Sequence, residues 1–392
     1  AIVYTSGSTG KPKGVVHTFR SIASATRGVA EVLRVTADDR MLSYLPLAHI
    51  FERAAVELLS IRVGMRLFFV ESQATLLADL QRARPTIFHS VPRLWLKFQQ
   101  GVFAQVPPER LRALLRVPML SHVIRRKILR GLGLDRARLA LSGSAPIPPS
   151  LIQWYRDLGL ELLEGYAMSE NFAYSHLSLP GRSRVGYVGH PLPGVEVKLS
   201  PESEILVRSP GDMAGYFKDS ELTRQSYTED GFLRTGDRGE LDEEGRLRIT
   251  GRIKELFKTS KGKYVAPTPI ENALNAEALV ELSCVSGSGQ PQPFALVLLA
   301  EELRRGLAEG TCERAPLDAR LTRLLATVNE GLEPHERLAF LVVVADAWQI
   351  DDGLLTPTLK LRRYAIEARY AAAVAGWYAA GQAVIWEAEA RS

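Results

Sequence analysis

Between residues 20 and 180, short apolar runs alternate with longer stretches of mixed character, and this alternation restricts the chain to a layered α/β architecture. The runs MLSYLPL, MRLFFV, TIFHSV and RLALSG have the length of strands, whereas SIASATRGVAEVL and RLWLKFQQGVF read as helices. From about 184 to 250 the texture changes to VGYVGHPLPGVEVKL, SEILVRS and GRLRITG, separated by Gly, Pro and Asp turns. These pieces predict a small β-rich subdomain. Beyond Gly251 the charged stretch RIKELFKTSKGKYVAP leads into a second alternation. IENALN, LDARLTRLLATVNEGL and RRYAIEARYAAAVAGW read as helices, and ALVLLA and LAFLVVVA as strands. The expected division is a large domain over 1–253 and a smaller one over 254–392.

Composition removes several classes. With 392 residues, 46% of them hydrophobic and 24% charged, there is material for two or three globular domains. The net charge of +5 is spread along the chain. Its densest cluster, RRKILRG at 125–131, reads as a solvated helix face rather than a nucleic-acid groove, with mild affinity for anionic ligands or membranes as the lesser alternative. Two cysteines, Cys284 and Cys312, are too few for a disulfide scaffold and lack metal-ligand spacing, which suits a reducing, cytoplasmic setting. No apolar run approaches the ~18 residues that a membrane helix needs, and no signal peptide is visible. The chain starts without Met and already inside a motif, so it is expected to be a fragment lacking the front of a longer protein.

That motif is AIVYTSGSTGKPKG. It fails the G-x-x-x-x-G-K-[ST] pattern, because Thr5 stands where the first Gly belongs and Pro12 follows Lys11. It still combines a strand-like start, a run of hydroxyl and Gly residues, and two lysines. Backbone N–H groups freed by Gly, hydroxyl donors and ammonium charges together suit an oligophosphate. A dinucleotide-binding oxidoreductase would need G-x-G-x-x-G here followed by an acidic residue, and neither is present.

Four further stretches follow in order: LSGSAPIP at 141–148, EGYAMSEN at 164–171, FLRTGDRGELDEEGRLRITGRIKE at 232–255 and TPTLKLRR at 356–363. Together with TSGSTGKPKG they resemble the adenylate-forming superfamily of acyl-CoA synthetases, luciferases and adenylation domains. The resemblance covers essentially the whole chain. It implies a large α/β domain with a β-rich subdomain, incomplete at its front, and a small mobile α+β domain at the C-terminal end. It also implies ATP, Mg²⁺ and CoA as cofactor, metal and cosubstrate.

By this resemblance Thr5, Ser6, Gly7, Thr9, Gly10 and Lys11 grip the pyrophosphate portion of ATP. Gly143, Ser144 and Ala145 line the adenine site, and Tyr166 offers adenine a flat face. Ser169 supplies a hydroxyl to the α-phosphate, and Glu170 helps hold Mg²⁺. Relatives more often carry Gly and Thr where this chain has Ala167 and Ser169; Ser keeps the hydroxyl. Asp237 accepts from the ribose hydroxyls, Arg252 contacts ribose or phosphate, and Lys254 occupies the hinge position. Lys360 balances charge between the attacking carboxylate and the α-phosphate, then swings away so that KTSKGK at 258–263 faces the thiol donor. Taken singly, each of these residues is as well explained by a turn, a packed core or solvated surface.

Within the superfamily, SYLPLAHIFER, VPRLWLKFQQGVF and FKTSKGKYVAPTPIEN are most similar to the long-chain fatty acyl-CoA synthetases. His49 and Trp95 fall where that family lines or gates its acyl channel, although a half-buried His and a core Trp are the simpler reading. The implied reaction joins a fatty acid to CoA at the expense of ATP, with peripheral membrane association as a further expectation and no nucleic acid as partner. The alternatives are an inactive nucleotide-binding homologue serving as scaffold or sensor, and an acyl-adenylate ligase with a different acceptor.

Overall fold

Two of the apolar runs of the first half, TIFHSV and RLALSG, supply strands of a five-stranded sheet. Ile87–Ser90, Leu139–Ser142 and Leu162–Tyr166 pair in parallel, with Ile87 opposite Leu139 and Ala140 opposite Leu162. His176–Leu177 and His190–Pro191 continue the sheet in antiparallel sense. Ile87–Ser90 and Leu139–Ser142 are covered on both faces, which is why they fall in continuous apolar runs rather than alternating ones. Helices Pro92–Gln105, Pro108–Leu115 and Pro149–Asp157 each begin with a proline, whose fixed φ suits the first helical position and whose missing N–H would be unpaired there anyway. This computed structural model describes residues 1–6, 12–356 and 360–387.

A second parallel pair, Arg40–Ser43 with Arg66–Phe69, is stapled to the larger sheet through Asp39. Its carboxylate accepts from Thr86 Oγ1 at 2.7 Å and from two Arg138 nitrogens at 2.8 and 2.6 Å. Burial opposes ionisation of Asp39, but Arg138 and the other donors hold its carboxyl below the usual range. Helix Phe19–Val32 packs through Ile22 and Ala25. Its Gly28 is dictated by contact, since a Cβ there would overlap the Tyr174 hydroxyl.

The chain opens with Ile2–Ser6 paired antiparallel to Pro12–Val16, in register from Ile2 opposite Val16 to Ser6 opposite Pro12. Gly215–Tyr216 joins as a third strand, with Tyr216 opposite Val15. The β-rich stretch forms a four-stranded sheet of Glu196–Leu199, Glu204–Arg208, Leu233–Leu241 and Leu247–Arg252.

Two compact units result, Ala1–Ile249 and Thr250–Ser392. The second is built on a sheet of Val280–Ser286, Phe294–Leu299, Leu341–Val343 and Val384–Trp386, antiparallel at the first pairing and parallel thereafter. Every residue of Phe294–Leu299 is buried. Ala295, Val297 and Leu299 face Ile270 and Leu321 from helices Pro267–Asn275 and Arg314–Glu330, whereas Phe294, Leu296 and Leu298 face Ile366 and Trp377 on the other side. Val280–Ser286 and Val384–Trp386 are strands that the sequence reading had not singled out.

Candidate active site

Leu162–Tyr166 ends at the C-terminal edge of the parallel sheet, where α/β folds gather their ligands. The chain then makes a short 3₁₀ turn over Ser169–Asn171, closed by the Met168 N–H donating to Asn171 Oδ1 at 3.0 Å. Phe172 and Ala173 leave the turn with φ of 53° and 54°, a left-handed conformation that fixes the turn's exit. Ser169 and Glu170 are therefore presented by a constrained segment, and both are half-buried.

Three contacts from elsewhere brace this turn. His17, just past the Pro12–Val16 strand, lies with Nε2 2.7 Å from the Ser169 carbonyl. Burial lowers the pKa of His17 and keeps the ring neutral; because a carbonyl only accepts, the proton sits on Nε2. The Met213 N–H donates to the Glu170 carbonyl at 2.8 Å. The Tyr216 hydroxyl donates to Glu170 Oε1 at 2.7 Å. Burial and then the Glu170 charge push the Tyr216 phenol far above its ordinary pKa, so it remains a donor at all physiological pH. Lys13 Nζ lies 5.4 Å from the centre of the same ring, within cation–π range. Nearby Asp212 has its carboxyl raised to about 6 by burial, partly offset by the Ser209 N–H.

The second cluster joins Tyr166 to Asp237. The Tyr166 hydroxyl donates to Asp237 Oδ2 at 2.8 Å, and both residues are buried. Asp237 reaches that position because its strand is irregular: Glu204 pairs with Arg238 while Leu206 pairs with Arg234, so Leu233–Leu241 carries extra residues there. Gly236, at φ 71°, supplies the left-handed residue this requires, and its N–H donates to Glu204 Oε1 at 3.0 Å. The Asp237 N–H is in turn held by Thr235 Oγ1 at 3.1 Å.

Gly143 follows the neighbouring strand Leu139–Ser142 and donates to the Ser90 carbonyl at 3.2 Å. A Cβ on it would meet the Phe51 ring at 3.4 Å, an ordinary contact, so protein packing alone does not demand glycine there. Ser144 has φ 70° and Ala145 is exposed at the same sheet edge. Thr5 is half-buried on the opening strand. Ser6 pairs with Pro12 through its backbone, and the candidate residues Gly7, Thr9, Gly10 and Lys11 lie outside the described residues.

Trp95 is fully buried, donates its indole N–H to the Leu141 carbonyl at 3.2 Å and packs edge-on against Phe88 and Tyr155. It is a core residue. His49 caps the helix Ile50–Glu52, its Nδ1 accepting from the Phe51 N–H at 3.2 Å. Three residues after His49, Glu52 is wholly buried between Ser43 Oγ at 2.6 Å and His89 Nε2 at 3.3 Å.

In the second unit, Lys360 is exposed and its backbone is tied to Thr356. The Thr356 N–H donates to the Lys360 carbonyl at 2.8 Å, the Lys360 N–H donates to Thr356 Oγ1 at 3.0 Å, and Leu355 bridges to Leu361. Leu354 and Leu355 are sunk in the core. Three residues after Lys360, Arg363 begins helix Arg363–Tyr370 and is itself nearly buried. It makes two parallel bonds to Glu271, at 2.7 and 3.0 Å, and a third to the Val285 carbonyl at 2.8 Å. Arg252 and Lys254 are exposed, with Lys254 on the short turn Ile253–Glu255. Phe257–Lys258 and Tyr264–Val265 form a hairpin around the lysine-rich 258–263 segment.

Of the residues expected from the sequence, Tyr166, Ser169, Glu170 and Asp237 therefore stand in the first unit, and Arg252, Lys254 and Lys360 in the second. Sequence reasoning missed His17, Asp212 and Tyr216. Tyr216 carried a faint signal, standing in a Gly-Tyr pair after a Gly- and Pro-containing turn.

Residues 1–217 match the AMP-binding enzyme family, and residues 255–382 match the AMP-binding enzyme C-terminal domain. A Mycobacterium tuberculosis protein provisionally named fatty-acid–CoA ligase fadD11 is 32% identical, across 96% of this chain and 73% of its own length. Arabidopsis thaliana peroxisomal long chain acyl-CoA synthetase 6 is 32% identical and human long-chain-fatty-acid–CoA ligase 1 is 31% identical; the chain spans 60% and 58% of their lengths and they cover 96% and 92% of it. Among solved structures, ATP-bound MatB from Rhodopseudomonas palustris superposes with a TM-score of 0.70 at 25% identity, over 94% of this chain and 68% of that one. The adenylation domain of a Mycobacterium chelonae carboxylate reductase superposes with a TM-score of 0.78 at 24% identity, over 96% of this chain and 60% of that one, and so speaks for the fold alone. The braced acidic turn, the buried Tyr166–Asp237 pair and these matches agree: the chain belongs to the AMP-binding enzyme family.

Proposed function

We propose that this chain carries the chemistry of an AMP-forming long-chain fatty acid:CoA ligase. A carboxylate oxygen of the fatty acid attacks the α-phosphorus of ATP and pyrophosphate leaves. The CoA thiolate then attacks the acyl carbon of the adenylate and AMP leaves. The observation that carries the reading is the turn at Ser169–Glu170, held at the sheet edge by His17, Met213 and Tyr216 and preceded by the Tyr166–Asp237 pair. The named relatives support a fatty acid as the acid and CoA as the acceptor.

In this reading Asp237 accepts from the ribose hydroxyls, Tyr166 orients that carboxylate as well as facing adenine, and Ser144 and Ala145 border the base. Ser169 donates to the α-phosphate. Thr5, Ser6, Gly7, Thr9, Gly10 and Lys11 hold the leaving pyrophosphate, and Lys13 adds positive charge from the adjoining strand. Mg²⁺ is compatible with Glu170, because the Tyr216 hydroxyl takes only one acceptor site on its carboxylate, and Mg²⁺ binds through one or two carboxylates together with phosphate oxygens. Bound there, it would neutralise phosphate charge. Lys360 serves the adenylation step from the small domain, Arg252 contacts ribose or phosphate, and Lys254 is the pivot that later brings the 258–263 segment to the thiol.

The test is pyrophosphate release by the purified protein with ATP, Mg²⁺ and acids from acetate to oleate, with and without CoA, in wild type and Lys360→Ala. Release that peaks with long chains, falls by roughly 10²-fold or more in the variant and yields acyl-CoA is the expected result. ATP binding without release for any acid would leave only a nucleotide-binding homologue.

A further inference from the structure

The large unit buries one pair of ionisable side chains that the proposed chemistry leaves unused. Glu52 is 0% exposed and His89 1% exposed. Ser43 Oγ donates to Glu52 Oε1 at 2.6 Å, and His89 Nε2 lies 3.3 Å from Glu52 Oε2. This second contact is not aligned as a hydrogen bond. Neither Glu52 Oε2 nor either ring nitrogen of His89 has a hydrogen-bond partner among the described residues. Polar groups buried in this way cost stability, and an apolar pair of similar volume would fill the space better. The backbone is irregular at the same place. Ile50–Glu52 starts as α-helix, Arg53–Leu58 widens into a π-helical segment, and Leu59–Val63 returns to α. Such segments are rare and concentrate at functional sites.

The side chain that this arrangement holds is Phe51. Its ring meets the His89 ring edge-on, with centroids 4.5 Å apart and planes at 64°. Its Cζ and Cε1 stand 3.4 and 3.5 Å from the point that a Cβ on Gly143 would occupy, and the Gly165 carbonyl oxygen is 3.5 Å from that same point. His89 belongs to Ile87–Ser90, Gly143 follows Leu139–Ser142, and Gly165 lies in Leu162–Tyr166. One ring therefore sits at the C-terminal ends of three neighbouring parallel strands, where an α/β sheet receives its ligand. The Phe51 N–H donates to His49 Nδ1 at 3.2 Å, which fixes the backbone behind the ring. Phe51 is only half-buried, so part of its surface remains accessible to a ligand.

We propose that Glu52 and His89 are positioning residues for the Phe51 ring, and that this ring is a wall that selects the acyl group of the adenylate. The inference rests on the ligase reading and adds to it the residues that choose the acid. Phe51 meets the substrate, and the buried pair acts through it: Glu52 sets the His89 ring, and the His89 ring sets Phe51. A polar pair fixes one arrangement where an apolar pair would allow several, which explains why it is kept at a cost in stability. An apolar wall of fixed orientation discriminates by contact, and one methylene in such a pocket is worth roughly tenfold or more.

The experiment measures kcat/KM for a series of saturated acids, together with KM for ATP, by pyrophosphate release from the purified full chain. Wild type is compared with Phe51→Leu, with Glu52→Met/His89→Phe and with the combination of all three, and each is melted thermally. The apolar pair is expected to melt at or above the wild-type temperature. Its preference for the best acid over the homologue one methylene shorter should nevertheless fall roughly tenfold, with KM for ATP within about twofold of wild type. Phe51→Leu should lower the preference to a similar extent, and the triple variant no further, because the pair acts through the ring. If the apolar pair does not fold, Glu52→Gln, which keeps the shape without the charge, is expected to lower the preference several-fold. Wild-type preference in Phe51→Leu or in the folded pair variant, Glu52→Gln standing in where the apolar pair does not fold, overturns the inference, as does additive loss in the triple variant, and each leaves the ligase reading intact. No release by the wild type with any acid would remove that reading and this inference with it.

Discussion

The hydroxyl of Tyr216 donates to Glu170 Oε1 at 2.7 Å, across 46 residues of sequence, and the same ring lies 5.4 Å from Lys13 Nζ. One side chain thus joins the acidic turn to the strand Pro12–Val16, which follows the segment proposed to hold pyrophosphate. A hydrogen bond to a charged group contributes about 1.5–3 kcal/mol, so Tyr216→Phe is expected to raise the Mg²⁺ concentration needed for half-maximal pyrophosphate release by roughly tenfold or more, each 1.4 kcal/mol being about a factor of ten. The substitution keeps the ring and its packing. A magnesium titration identical to wild type would show that Glu170 does not rely on Tyr216.

Asp237 and Tyr166 should separate nucleotide binding from nucleotide orientation. Asp237→Asn keeps the shape but removes the charge that accepts from Tyr166 and, in the proposed reading, from ribose. It is expected to raise KM for ATP about tenfold or more. Tyr166→Phe leaves the carboxylate in place without its 2.8 Å donor and is expected to act in the same direction but less strongly. Steady-state kinetics at varied ATP checks the order. A larger effect from Tyr166→Phe would assign the main nucleotide contact to the tyrosine.

What the sequence revealed and what it concealed follow from the range of the interactions. The strands Ile87–Ser90 and Leu139–Ser142 were legible because burial on both faces writes itself as a local apolar run. Ser169, Glu170 and Asp237 were singled out because they sit in compact motifs whose order resembles a family. Tyr216 and His17 were not, because each acquires its role through a partner on another element. Tyr216 reaches Glu170 only because Gly215–Tyr216 pairs with Pro12–Val16, and His17 reaches Ser169 only because the same strand ends beside the turn. Gly143 shows the converse: its motif was readable, yet the packing around it gives no steric reason for glycine.

Arg363 offers a stability prediction bearing on Lys360. Its guanidinium holds Glu271 through two bonds in a nearly buried setting, and burial is outweighed by Glu271 and its neighbours in pushing the Arg363 pKa up. Removing one partner of a buried pair costs about 3–5 kcal/mol because the other is stranded without its counter-charge, whereas replacing both by apolar groups is often neutral. Arg363→Met should therefore be strongly destabilising in urea titration, and Glu271→Met/Arg363→Met should recover most of the loss. Equal loss in both would mean that the bond to the Val285 carbonyl, rather than the ion pair, dominates.

Glu164, immediately before the Gly165–Tyr166 step, gives a pH signature. Its side chain is buried in the parallel sheet, and burial raises its pKa to about 8, against weaker opposing effects of the Gly186 N–H and the Arg156 charge. The folded-state pKa is thus above the unfolded value, so the folded protein binds this proton more tightly. The resulting stabilisation is complete below the ordinary carboxylate range near 4.5 and is lost as pH rises toward 8. Across that window stability should decline with a limiting slope of about 1.4 kcal/mol per pH unit from this group alone. Glu164→Gln keeps the shape and hydrogen-bonding capacity of the protonated acid without the ionisation. Its stability relative to wild type should rise from pH 5 to pH 8, measured by urea titration at matched ionic strength. A pH-independent difference between the two proteins would mean that Glu164 ionises in the folded state as readily as in water, and that the sheet interior beside Tyr166 is open to solvent.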